Sequence, residues 1–188
     1  MATQRVIRNS TLYVLAVLAF GVAVPLAKGL GFLDPVLLSA YACLGIVFAG
    51  PAAAQAFEKK PASLGEAARW ILKAVFFGEL VALAMLGCGL ATVFFRHRAA
   101  FFPPDVESLA EAALLGLAAS LAVASLSAWT ALQFSASAAR MVMRLVFLGL
   151  LVLFYLRGRW LPEVYLSGAL YCAGVTLVLL LLMRRRLS

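Results

Sequence analysis

The polar residues that could do chemistry lie inside two of the chain's long apolar segments. Glu79 interrupts the third segment, and Ser125, Thr130 and Gln133 give the second half of the fourth a polar character. Ionisable side chains within membrane-spanning helices are costly and commonly mark a binding site or an ion pathway. Glu79 therefore has two interpretations: a buried carboxylate that contacts substrate or a basic residue of another helix, or a carboxylate at the lipid headgroups.

The hydroxyl groups of the fourth segment also allow two interpretations. They could line a polar path together with Glu79, which makes Glu79, Ser125, Thr130 and Gln133 a candidate intramembrane polar site. Serine and threonine in membrane helices also bond back to their own helix or join neighbouring helices. The sequence leaves both interpretations open.

The residue types argue against an enzyme. A hydrolase or metalloprotease needs histidine, and the single His97 has no acid partner at a recognisable spacing. Asp34 and Asp105 are the only aspartates, which excludes the aspartate-rich patterns of lipid phosphotransferases. We therefore expect no catalytic residues and no cofactor.

The three cysteines indicate neither disulfides nor a metal site. Cys43, Cys88 and Cys172 each fall inside an apolar segment, and no two are closely spaced. One histidine without nearby cysteines or carboxylates is a poor metal ligand set. Buried free thiols are the expected state of these cysteines.

The composition predicts the architecture. Hydrophobic residues make up 65% of the 188 residues and charged residues 13%, whereas soluble domains carry roughly 25% charged residues. A bilayer-spanning helix needs about 20 apolar residues, so about six spans would use most of the chain. We predict an all-α polytopic membrane protein, one transmembrane domain over residues 1–188, with spans at about 11–32, 36–57, 72–95, 109–134, 141–156 and 163–183.

Helix signals refine this layout. Pro25 should kink the first span or end its regular part. Ser63 followed by Glu66 has the spacing of a capping box and predicts a helix start. Arg69 and Lys73 share a face with Glu66, which predicts a short cytoplasmic amphipathic helix at the membrane interface before the third span.

Two stripes of small residues predict close helix packing, because small side chains let helix backbones approach each other in membranes. Gly45, Ala49 and Ala53 lie four apart in the second span. The fourth span has the same spacing at Gly116, Ser120 and Ala124.

The net charge of +8 does not indicate nucleic-acid binding, because the basic residues lie at the ends of apolar segments, where they meet lipid headgroups. With the N-terminus inside, eleven of the sixteen face the cytoplasm: Arg5, Arg8, Lys59, Lys60, Arg69, Lys73, Arg140, Arg144, Arg184, Arg185 and Arg186. The other five face outward: Lys28, Arg96, Arg98, Arg157 and Arg159. The positive-inside rule therefore predicts an inner-membrane protein with both termini in the cytoplasm.

The layout resembles the membrane subunits of ABC-2-type ABC transporters, which have six spans and a charged cytoplasmic segment between the second and third. The matching segment here is Ala54-Gln55-Ala56-Phe57-Glu58-Lys59-Lys60, followed by the helix that begins after Ser63. The serine-rich fourth span, joined to the fifth across Ser135 to Arg140, is similar in style. The resemblance implies a separate cytoplasmic ATPase that docks on this segment; the candidate docking residues are Glu58, Lys59, Lys60, Ser63, Glu66 and Arg69.

Two hypotheses of function follow. The first is the permease subunit of an ATP-driven transporter, working as a homodimer or beside other membrane subunits, with an unknown substrate. The second is a membrane scaffold or accessory subunit of a larger complex, in which the small-residue stripes serve packing alone.

Overall fold

Long apolar segments become helices because a helix satisfies its backbone hydrogen bonds internally. The computed structural model describes residues 14–100, 102, 106–157 and 165–187, and none of these is in a strand. The prediction of an all-α polytopic protein is confirmed. The basic residues Arg5 and Arg8 and the last predicted outer turn, with Arg159 and Pro162, lie outside the described residues.

Six helices are described. They are α1 (Val14–Leu33), α2 (Pro35–Lys59), α3 (Leu64–Arg96), α4 (Val106–Gln133), α5 (Ala136–Arg157) and α6 (Tyr165–Leu187). In this part of the chain, all but α5 are identified as long and apolar enough to cross a membrane. The predicted fifth span, 141–156, lies within α5, whose 22 residues extend about 33 Å. That α5 crosses the membrane stays a prediction.

Helix α3 is one continuous helix of 33 residues. The Ser63 hydroxyl accepts from the backbone N–H of Glu66 at 3.3 Å, and the Glu66 carboxylate accepts from the N–H of Ala62 at 2.8 Å. These bonds satisfy N–H groups at the start of the helix, as the capping spacing predicts. The expected amphipathic helix is not a separate element, because its residues form the first turns of α3.

Pro25 perturbs α1, and neighbouring helices compensate. Proline has no N–H to donate to carbonyls one turn earlier. The preceding residues Ala19–Ala23 adopt π-helical geometry. The hydroxyl of Tyr41 in α2 donates to the carbonyl of Phe20, and Thr92 Oγ1 of α3 lies 3.5 Å from the carbonyl oxygen of Gly21. The Tyr41 hydroxyl thus attaches α1 to α2 where the ladder of α1 is interrupted, while the Thr92 hydroxyl donates to Cys88 in its own helix at 2.7 Å.

Helix α4 is central in the described bundle and packs against α2, α3, α5 and α6, while α1 packs mainly on α3. We call the end where α2 meets α3 the α2–α3 end, and the opposite end the α3–α4 end. Two polar side-chain contacts between described residues join helices at the α2–α3 end. Arg140 of α5 pairs with Glu58 of α2 at 2.5 Å, and Arg186 of α6 donates to Gln133 of α4 at 2.9 Å.

The contact of α2 with α3 and α4 depends on small residues. A methyl group built on Gly78 of α3 would lie 2.6 Å from the Gly45 carbonyl oxygen and 2.9 Å from the Ala49 nitrogen. A methyl group on Gly116 of α4 would overlap the carbonyl of Ala42. The backbones of these three helices therefore approach each other as closely as their atoms allow, the packing mode typical of membrane helices.

Candidate functional site

Glu79 of α3 lies where three helices converge. Its Oε1 atom is shielded from solvent and lacks a hydrogen bond of standard geometry. A methyl group built on Gly45 of α2 would overlap Oε1 and lie 2.8 Å from the Ser120 hydroxyl oxygen of α4. Ser120 is fully buried, and its hydroxyl is close enough to interact with the carboxylate. We call Glu79, Gly45 and Ser120 the carboxylate site.

The carboxylate site lies deep in the bundle rather than at either end. Ser120 is halfway along α4, and Glu79 is close to the middle of α3. Whether this position lies within the membrane or at the headgroups stays a prediction. Among the described residues, no lysine, arginine or histidine forms an ion pair with it.

Helix α2 is interrupted beside this carboxylate. Regular helix ends at Ala42 and resumes at Gly45, with Cys43 and Leu44 in a turn between them. The N–H groups of Leu44, Ile46 and Val47 donate to carbonyls three residues back, at 3.1 to 3.2 Å, instead of four. The lack of a side chain at Gly45 leaves room for the Glu79 carboxylate beside this turn. Interrupted helices near the bilayer midplane form the binding sites of many transporters.

Further polar groups extend from the carboxylate site toward the α3–α4 end. The Cys43 thiol is close enough to Glu79 and to Cys172 of α6 to interact with both electrostatically. Nearer that end, the buried hydroxyls of Ser39 in α2 and Tyr165 in α6 are hydrogen-bonded to each other. The Ser39–Tyr165 hydrogen bond therefore links α2 to α6 between the carboxylate site and the α3–α4 end.

The other predicted members of the polar site do not join Glu79. Thr130 donates to the carbonyl of Leu126 in its own helix at 2.8 Å. Gln133 accepts from Arg186 at the α2–α3 end. Ser125 is fully buried, and its hydroxyl has no hydrogen-bond partner among the described residues. The residue that does face Glu79 is Ser120, which the sequence placed in a packing stripe.

The remaining stripe residues lie in helix contacts. Ala49, Ala53 and Ala124 are fully buried, as are the backbones of Gly45 and Gly116. Another serine of α4, Ser127, donates to the carbonyl of Gly50 in α2 at 2.7 Å. Ser127 lies two turns along α4 from Ser120, so it links α4 to α2 and does not belong to the carboxylate site.

The candidate docking residues lie at the α2–α3 end, and the structure divides them. Lys59, Lys60 and Arg69 are exposed. Glu58 pairs with Arg140, while Ser63 and Glu66 cap α3. The exposed surface of this segment is therefore mainly basic, and its carboxylates hold helices in place.

Aromatic packing connects the segment to the bundle. The rings of Phe57, at the end of α2, and Trp70, near the start of α3, meet edge to face with centroids 5.6 Å apart. Phe57 is 2% exposed and belongs to the core formed by α2, α3 and α4. The charged segment is therefore packed directly onto the core of the bundle.

Comparison with protein families, with curated proteins and with solved structures finds no match for this chain.

Proposed function

We propose that this protein is a permease subunit of a membrane transporter and that the carboxylate site belongs to its transport pathway. The observation that carries the proposal is the half-buried Glu79, whose Oε1 atom is shielded from solvent beside an interrupted helix, without a basic partner among the described residues. An intramembrane carboxylate is costly, so a purely structural bundle gains nothing from keeping one.

The site's chemistry defines what it can hold. A carboxylate and a hydroxyl offer oxygen acceptors and one donor, which suit a cation, a proton or a substrate with N–H or O–H groups. We place the approach of a substrate on the α3–α4 side of the site, where Cys43 and the Ser39–Tyr165 hydrogen bond lie. The interrupted part of α2 lacks a regular helical ladder, but it packs against Gly78 and Gly116, so opening the site would require these contacts to separate.

The proposed energy source is a separate cytoplasmic ATPase that docks at the α2–α3 end. The exposed cations Lys59, Lys60 and Arg69 would contact an acidic surface of that partner. The Phe57–Trp70 contact and the Glu58–Arg140 pair would transmit its movement to α2, α3 and α5. In this proposal the protein lies in the inner membrane with both termini in the cytoplasm, as a homodimer or beside a related subunit.

Affinity purification in mild detergent tests the partner. The tagged chain, recovered from its own cells, should bring down an ATPase subunit in a fixed ratio. The variant Lys59→Glu/Lys60→Glu/Arg69→Glu should lose that subunit. A control with reversed cations at the other end, Lys28→Glu/Arg98→Glu, should retain it. Recovery of an intact membrane complex without any ATPase would contradict the proposed energy source.

The second candidate function is a membrane scaffold, and the close backbone contacts at Gly78 and Gly116 favour it. Such contacts lock helices together and suit a rigid subunit. Replacing Glu79 with glutamine separates the two candidates. A scaffold should support normal growth and assembly with Glu79→Gln, whereas a permease should assemble normally and lose transport.

A further inference from the structure

A groove opens between the second half of α2 and the first half of α3. Its volume is about 460 Å³, and it is lined by Lys59, Lys73, Gln55, Trp70, Phe77 and three alanines. The groove therefore combines two lysines and the indole of Trp70 with an apolar wall formed by Phe77 and the alanines. No acidic residue is among its lining residues.

The lysines of this groove are available for an anion from outside the chain. Among the described residues, neither Lys59 nor Lys73 forms an ion pair. The carboxylates nearby along the chain are engaged elsewhere, because Glu58 pairs with Arg140, Glu66 accepts from the N–H of Ala62, and Glu79 belongs to the carboxylate site. The groove therefore concentrates positive charge that these carboxylates do not neutralise.

Along the helices, the groove changes from charged to apolar in the same direction as a lipid does from headgroup to acyl chain. Lys59 lies at the very end of α2, Lys73 and Trp70 lie near the start of α3, and Phe77 lies one turn deeper than Lys73. Lysine and tryptophan are typical of the headgroup level of a bilayer, whereas phenylalanine and alanine suit the acyl chains. Basic pockets between helices are suited to anionic headgroups.

We propose that this groove binds an anionic phospholipid, with its phosphate between Lys59 and Lys73 and an acyl chain along Phe77 and the alanines. The inference is independent of transport, because it requires only that the α2–α3 end lies at a membrane surface. A bound lipid would brace α2 against α3 below the exposed basic segment.

Fluorescence of Trp70 tests the proposal, because this side chain lines the groove. Trp129 and Trp160 are replaced by phenylalanine, and the full chain is placed in vesicles of phosphatidylcholine containing a small fraction of brominated lipid. Brominated phosphatidylglycerol should quench Trp70 at a concentration roughly 25-fold lower than brominated phosphatidylcholine, since each lysine contributes about fivefold. The variant Lys59→Gln/Lys73→Gln should lose most of this preference.

A matched variant, Lys60→Gln/Arg69→Gln, removes the same charge from the same end of the bundle but outside the groove, and it should keep most of the preference. Free glycerol phosphate, added to the protein in detergent, should not displace the brominated lipid if the acyl chain contributes. Equal quenching by the two lipids, or equal losses in the two double variants, would overturn the proposal. Loss of a copurified protein from Lys59→Gln/Lys73→Gln, with quenching unchanged, would assign the groove to that protein instead.

Discussion

The contact of α2 with α3 and α4 differs sharply from the surroundings of α5, although α5 is also a long helix with leucine and phenylalanine residues. In the first region, Gly78 and Gly116 lie against backbone atoms of α2. In the part of α5 that follows Met143 in sequence, no described side chain is buried. A methyl group built on Gly149 would meet nothing within 4 Å. Small residues at four-residue spacing bring backbones together, whereas a surface of leucine and phenylalanine is left for lipid or another subunit.

The largest expected effect tests this difference directly. Gly78→Ala and Gly116→Ala place a methyl group against backbone atoms that cannot move without shifting a helix, so each should lower the free energy of unfolding by about 1–3 kcal/mol. Gly149→Ala in α5 should cost nothing and gain up to about 1 kcal/mol from helix propensity. Denaturant titration in mixed micelles measures all three. Equal losses of stability at Gly78 and Gly149 would contradict the difference in packing between the α2 contact and α5.

The second prediction concerns the carboxylate inside the packed region. Glu79→Leu should raise the free energy of unfolding by up to about 3 kcal/mol, because an ionisable group at mid-membrane is costly. Glu66→Leu should lower it, since Glu66 helps to cap α3. The same titration checks both variants. A loss of stability in Glu79→Leu would indicate that the carboxylate holds the bundle together.

The third prediction concerns the hydroxyl that attaches α1. Tyr41→Phe removes the donor to the Phe20 carbonyl and should cost about 1 kcal/mol, typical of a hydrogen bond between membrane helices. Tyr155→Phe in α5 is the matched control, because Tyr155 is 88% exposed. Thermal unfolding in detergent should separate the two variants. Identical melting temperatures would show that the Tyr41 hydroxyl does not stabilise the π-helical part of α1.

The smallest effect is expected for the Glu58–Arg140 pair, which connects the packed region to α5. Both side chains are nearly half exposed. A double-mutant cycle with Glu58→Gln and Arg140→Gln should give a coupling energy below about 1 kcal/mol that shrinks in high salt. A salt-independent coupling above that value would mean that α5 is held more firmly than its exposed surface indicates.

The sequence predicted the helices well, because apolar segments, the Ser63–Glu66 capping spacing and Pro25 act locally. It also identified Glu79 and the two small-residue stripes. It did not predict that Ser120, rather than Ser125 or Thr130, faces Glu79, because which face of α4 meets α3 depends on long-range packing. The interruption at Cys43–Leu44 likewise has no proline at the break to indicate it. It became visible only from the hydrogen bonds of α2 and the close contact of Ala42 with Gly116.

The position of Glu79 can be measured by labelling. In a chain whose native cysteines are replaced by alanine, Glu79→Cys and Glu66→Cys are each exposed to a membrane-impermeant maleimide in sealed vesicles, with the reagent on both sides. We predict rapid labelling of the residue-66 variant and labelling of the residue-79 variant only after the protein is unfolded in detergent. Equal rates would contradict the central claim, because they would place Glu79 at the headgroups and remove the intramembrane carboxylate site.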